Sequence, residues 1–239
     1  MTREASLLPP FVSPRKTSRW PVRLLIATVA VAWVAVGIDL REVWDLVGAL
    51  RGIEVDAGMR QAQFETTGWM FWILGTLSLA AGIAFLAWLY QARINIRALG
   101  MRRMRYSRNW CIWAFVIPVM NAFRPYQVMR EIWKASDPES LDPFQWRSQP
   151  TPALVVLWWI AVLGAGGLRA LTVMTSLGTD VNLQKLVLSG SLNLLADIAL
   201  GLAAGVSVFI VTRLTNAQET KWALQSRAAE NGSEAVTAV

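Results

Sequence analysis

The sequence predicts an all-α integral membrane protein: four transmembrane helices, a proline-broken segment that is half-inserted or re-entrant, and amphipathic interfacial helices. Three observations predict it. Four stretches stay apolar for roughly 20 residues, the length a helix needs to cross a hydrocarbon core of about 30 Å at about 1.5 Å per residue. A fifth apolar stretch, within NWCIWAFVIPVMNAFRPYQVMREIW over residues 109–133, is half that long and is cut by Pro118. Finally, 54% of the 239 residues are hydrophobic and the mean hydropathy is +0.39, which is membrane composition.

Residues 1–20 are basic, polar and proline-containing, without the apolar core and cleavage site of a signal peptide. They are expected to form a disordered cytoplasmic tail. One helical membrane domain then occupies 21–212, with spans at about 21–38, 69–90, 152–175 and 189–212. The second, WMFWILGTLSLAAGIAFLAWLY, carries no charge. Between the first two, Leu40, Val43, Trp44, Val47 and Leu50 recur at helical spacing, with Arg41, Glu42, Asp45 and Arg51 between them. That pattern predicts an amphipathic helix over about 40–51, lying on the membrane surface or on the end of the bundle.

The broken segment is placed at 109–122. Its apolar part, Trp110 to Val119, spans about half a bilayer. Pro118 cannot continue a helical hydrogen-bond ladder, and Asn121 is placed to cap the next helix, with Pro125 tolerated in the first turn. That helix, about 124–135, reads as interfacial, with Tyr126, Met129, Ile132 and Trp133 on one side. The polar stretch 213–239 is expected to be a disordered C-terminal tail.

Basic residues set the expected orientation. If the broken segment enters and leaves on one side, both termini lie in the cytoplasm of a plasma-membrane protein. Eighteen Lys and Arg then lie inside, against Arg41, Arg51, Arg60 and Lys185 outside. If the segment crosses fully, the division is 12 to 10. The positive-inside rule selects the first arrangement. Irregular backbone at such depth must be buried in protein or line a wet cavity.

The excess of 23 Lys and Arg over 16 Asp and Glu gives a net charge of +7. In a membrane protein this points to anionic lipid rather than nucleic acid, since no basic stretch lies in a nucleic-acid module. Histidine is absent and the one cysteine, Cys111, sits in an apolar run. Histidine–cysteine zinc sites, histidine-held haem, intrachain disulfides and histidine-based triads are therefore excluded, and no cofactor, metal site or catalytic residue is expected. Of the 13 tryptophans, Trp20, Trp69, Trp72, Trp88, Trp110 and Trp133 fall near span ends, where indoles anchor at the headgroups.

Three groups of residues carry the functional expectations. Arg93 and Arg97 share a helix face as the chain leaves the second span, Gly100 stops that helix, and Arg102, Arg103, Arg105 and Arg108 follow. Guanidinium forks suit phosphate, so Arg93, Arg97, Arg102, Arg103 and Arg105 form a candidate phosphate or lipid-headgroup site, or else a basic loop that fixes topology. Pro118, Asn121 and Gln127 form a candidate polar site at the broken helix. Arg169 and Asp197 sit at matching depth in the last two spans, roughly 10 Å below the outer surface, with Asn193 one turn before Asp197. A charge at that depth costs about 2–3 kcal/mol, so the two are expected to pair. The small residues Gly164 to Gly167 and the Gly201-x-x-x-Gly205 spacing are expected at close helix contacts.

The stretches WLYQARINIRALG and RYSRNWCIWAFVIPVMNAFRPYQVMREIWKAS resemble the bacterial membrane proteins of domain of unknown function family 4328. The resemblance is strongest over residues 85–136. It implies a multi-span membrane protein, commonly actinobacterial, and implies no activity or catalytic residue. Ser107-Arg108-Asn109 stands where family members often have Ser-Pro-Gly. The expected function is a noncatalytic module that organises lipids or partner proteins at the inner face of the membrane, as a homo-oligomer or with a membrane partner. The alternative is a small-solute or ion transporter or channel that uses the broken helix and the Arg169/Asp197 pair, although no internal repeat supports it.

Overall fold

The computed structural model describes residues 9–54, 57–140, 142–176 and 182–237, and these are mostly helical, with no strand among them. Seven α-helices follow in order: α1 Pro14–Leu50, α2 Ala57–Ala98, α3 Trp110–Val116, α4 Pro118–Asn121, α5 Arg124–Ala135, α6 Ala153–Ser176 and α7 Leu183–Thr237. A 3-10 turn, Gln145–Ser148, precedes α6. Four of them, α1, α2, α6 and α7, are long and apolar enough to cross a membrane. Each contains one of the spans read from the sequence. At 55 residues α7 is roughly 80 Å long, so only its apolar stretch, 189–212, is needed to span.

Contacts divide the chain into two compact units, each taking part of the same long helices. One comprises 23–81 and 157–208. Its interior is narrow and built on small residues: Ala32, Ala35 and Leu74 with Val31 and Leu200. Gly201 brings α7 against α1, since a Cβ there would meet the Trp33 indole at 3.5 Å and Ala32 Cβ at 3.6 Å. Gly190 does the same against Val43 and Leu46. The expected glycine contacts are thus made at Gly201 alone. A Cβ on Gly164, Gly166, Gly167 or Gly205 would meet nothing within 4 Å. Large apolar side chains such as Val34, Leu157, Ile160 and Leu202 point away from the protein, as they do when the surrounding solvent is lipid.

The other unit comprises residues up to Val22, Gly82–Val156 and from Phe209 on. Trp88, Leu89, Ile96, Leu99, Met129, Ile132, Ile210 and Leu214 are fully buried in it. The sequence expectation needs three corrections. Residues 14–20 of the expected N-terminal tail are helical, and 1–8 lie outside the described residues. The chain just before α1 is tied down: Asn95 accepts from the Val12 amide and donates to its carbonyl, and Phe11 stacks on Trp222 at 4.8 Å. The stretch from 213 to Thr237 is a continuation of α7. Finally, 40–51 is helical to Leu50 as the unbroken end of α1, because no helix breaker separates it from the span.

The C-terminal half of α7 is held by a row of polar side chains. Trp88 Nε1 donates to Thr215 Oγ1 at 3.1 Å. Gln218 donates to the Ala92 carbonyl and to Ser136 Oγ, and accepts from Asn95. Gln225 donates to the Leu99 carbonyl. Lys221 is fully buried, and its ammonium donates to the carbonyls of Ala135, Asp137 and Ser140 at 2.9, 3.0 and 2.6 Å, with Met101 Sδ at 3.4 Å. Lys221 lies beyond the last span. Burial pulls its pKa down from 10.5 to about 8, against the pull of Asp137.

Replacing Lys221 with Met strands three carbonyls and should cost about 3 kcal/mol of stability. The pH dependence has a definite sign. The folded pKa lies below the unfolded one, so between pH about 8 and 10.5 the unfolded chain binds more protons and Lys221 makes stability rise with pH. Unfolding in detergent micelles across that window should show the rise in the parent protein and a flatter profile in Lys221→Met.

Candidate functional site

The basic connector begins where α2 stops. Gly100, at φ +74°, takes the left-handed conformation that ends the helix, and the Met101 amide reaches back to the Ile96 carbonyl at 3.1 Å. The following loop is pinned from both sides. Trp146 Nε1 donates to the Arg102 carbonyl, the Arg102 amide donates to the Pro143 carbonyl, and Arg147 donates to the Arg103 carbonyl. Arg103 is held at φ +59°, a left-handed conformation that costs a non-glycine residue about 1 kcal/mol.

Beneath the loop, Glu131 of α5 accepts from the backbone amides of Arg105 and Tyr106 at 2.5 and 3.1 Å. Arg93 donates through Nε and a terminal nitrogen to the Tyr106 carbonyl, at 3.1 and 2.6 Å. The Tyr106 hydroxyl donates to Gln127 and accepts from Arg124, whose guanidinium stacks near Tyr106 and Trp110. The loop backbone is therefore fixed while its arginine side chains face outward. Together with Arg93 they line a cleft of about 950 Å³ that includes Arg97, Arg102, Arg103, Arg105 and Arg108. Among the described residues no carboxylate lines it.

The expected phosphate-site residues are brought together here, with a division of labour. Arg93 is buried and spends its guanidinium on the loop, whereas Arg97, Arg102, Arg103, Arg105 and Arg108 are exposed. The expected broken-helix site is not assembled. The break is there: Ile117 is extended at ψ 116°, and Pro118 opens α4. But Asn121 lies inside α4 and does not cap α5; Phe123 holds the N-cap position, with no side-chain cap. Gln127 is engaged by Tyr106 and Arg124. In α5 the buried face is Val128, Met129, Ile132 and Ala135, with Glu131 turned inward to meet the loop amides.

The second group lies in the unit formed by 23–81 and 157–208. Arg169 of α6 donates to Asp197 and to Asn193, both on α7. Asn193 passes the network on, its Nδ2 donating to Asp39 Oδ1 of α1 at 3.1 Å. The Arg169 guanidinium sits 5.6 Å from the centre of the Phe71 ring of α2. Asp39 is the member that sequence reasoning missed, because it is the first residue after an apolar run and reads as surface. The signal was present: Asp39 ends the first span on the side where Asn193 and Asp197 begin the last. Glu131, Gln218 and Lys221 were missed for a related reason. Gln218, Lys221 and Gln225 follow Leu214 at helical spacing and mark one buried face of α7.

These features define a helical membrane protein with four span-capable helices, a fixed arginine-lined cleft and a buried charge cluster. The chain belongs to the family Domain of unknown function (DUF4328), whose model matches residues 51–216. The matched stretch takes in the basic connector, the broken segment, Arg169 and Asp197; Asp39, Gln218 and Lys221 lie outside it. No curated protein and no solved structure matches the chain.

Asp197→Ala leaves Arg169 without its carboxylate and should cost about 3 kcal/mol. In a double-mutant cycle with Arg169→Ala, unfolding in mixed micelles should give a coupling of about 1–3 kcal/mol. Strict additivity would mean that the pair does not contribute.

Proposed function

We propose that this protein is a noncatalytic module of the plasma membrane that gathers anionic lipid headgroups at the cytoplasmic face. The observation that carries the reading is the cleft of about 950 Å³, lined by six arginines and by no described carboxylate, on a loop whose backbone is already fixed. Guanidinium groups bind phosphate oxygens in two-pronged fashion, and holding the backbone in place beforehand lowers the entropy lost on binding. Anionic lipid is concentrated on the cytoplasmic leaflet, where the positive-inside rule also puts the connector.

In this reading both termini are cytoplasmic, and Trp110–Asn121 dips into the bilayer and returns. Two features support that. At seven residues α3 is roughly 10 Å long, too short to cross. Its outer face and that of α4 present Trp113, Val116 and Val119, the last 74% exposed, as an apolar surface suited to lipid. In this reading α5 lies near the inner interface.

Replacing Arg97, Arg102, Arg103 and Arg105 by Gln should remove bound anionic lipid and leave neutral lipid binding unchanged. At about 1 kcal/mol per arginine, the four changes weaken binding by roughly a factor of 10³. Native mass spectrometry with phosphatidylglycerol in a phosphatidylcholine background reads this directly; equal retention of both lipids by the parent protein would defeat the proposal. Sidedness is checked by a thiol at Glu139, an exposed residue between α5 and the 3-10 turn, in a Cys111→Ala background. A membrane-impermeant maleimide should label it only after the cells are opened.

A further inference from the structure

Charge counting in the second group leads beyond the lipid reading and does not depend on it. Asp39 is 3% exposed and Asp197 is 2% exposed, and their carboxyl groups lie within hydrogen-bonding reach of each other. Arg169 supplies a single positive charge. With both carboxyls ionised the cluster carries net −1 in surroundings that penalise any unbalanced charge. Glu42, one turn along α1 and itself bonded by the Thr67 hydroxyl of α2 at 2.8 Å, makes the potential at Asp39 more negative still. The hydrogen bonding is deficient at the same place. Asp39 Oδ1 accepts from Asn193, but Oδ2 is buried without a donor. Two ionised carboxylates cannot bond to each other, whereas a carboxylic acid and a carboxylate can.

One added proton corrects both faults: it balances the charge and supplies the missing hydrogen bond. We propose that Asp39 and Asp197 hold one exchangeable proton between them, with Arg169 as the fixed counter-charge, making this cluster a proton-binding site among the membrane-spanning helices. The geometry favours a proton over a metal cation. Arg169 already occupies the cationic position beside Asp197. Asn193 turns its NH₂ toward Asp39, because its carbonyl oxygen accepts from Arg169, so it offers Asp39 a donor and not a ligand. Binding makes one O–H bond, and release returns the proton to solvent. Arg169 also forms part of the wall of a cavity of about 310 Å³, where the Ser78 hydroxyl is buried without a partner.

Infrared spectroscopy of the protein in lipid nanodiscs tests the proposal, since a protonated carboxyl has a C=O stretch separate from that of a carboxylate. At neutral pH the parent protein should show one protonated carboxyl per chain at this site. Both Asp39→Asn and Asp197→Asn should lose that band, because the remaining aspartate is then balanced by Arg169 and ionises. Both variants keep the side-chain shape, and an unchanged far-ultraviolet circular dichroism spectrum confirms that the fold is intact. A parent protein without the band, or a band retained in both variants, overturns the proposal. So does displacement of the band by sodium at fixed pH, which would make the ligand a metal ion.

Discussion

A bilayer offers no hydrogen bonds, and that constraint accounts for most of what is polar in this molecule. Any donor, acceptor or charge among the four long helices has to find a partner inside the protein. Isolated hydroxyls do so locally: Thr28, Ser191 and Ser207 donate to carbonyls one turn back in their own helices. Ser207 also accepts from Trp158 at 2.8 Å. Side chains that cannot be satisfied within their own helix are satisfied across helices, as in the chain from Arg169 through Asn193 to Asp39. Three helices meet at that chain, and its members are fixed by one another. The same accounting that explains the paired groups also isolates two buried oxygens left without a partner among the described residues, Asp39 Oδ2 and Ser78 Oγ.

The unit that carries the basic cleft solves a related problem. About half of its backbone between α2 and α6 is irregular, and irregular backbone leaves amides and carbonyls without ladder partners. Side chains take them up: Glu131 receives two loop amides, Arg93 caps a loop carbonyl, and Lys221 alone gathers three carbonyls from the end of α5 and the turn after it. Each such group is removed from solution chemistry by being bound. Arg93 is therefore held in place by the loop, although by sequence it belongs to the same basic run as the exposed arginines.

The sequence made the spans legible because hydrophobic length is a one-dimensional property, and a helix satisfies its own backbone. The break at Pro118 was legible for the same local reason: a missing N–H ends the ladder wherever it falls. The arginine cluster was legible as composition. What each arginine does was not, since that depends on which of them Tyr106 and Glu131 turn inward. Residues 12–20 and 213–237 are held in place despite their polar composition, which argues for solvent only when no partner exists. Here the partners, Asn95, Ser136 and the carbonyls near Ser140, are about 80 or more residues away along the chain.

The sequence by itself determined the class of this protein, the number of span-capable helices, the break between α3 and α4, and the need for Arg169 to be paired. Those follow from hydropathy, helix geometry and the cost of a lone charge, none of which requires knowing what lies beside what. Tertiary structure decided the rest. It brought Asp39 to Asp197, set Arg93 apart from the exposed arginines, and carried α7 well past its last apolar turn. Each of these is a pairing between distant residues, and only folding determines which distant groups become neighbours.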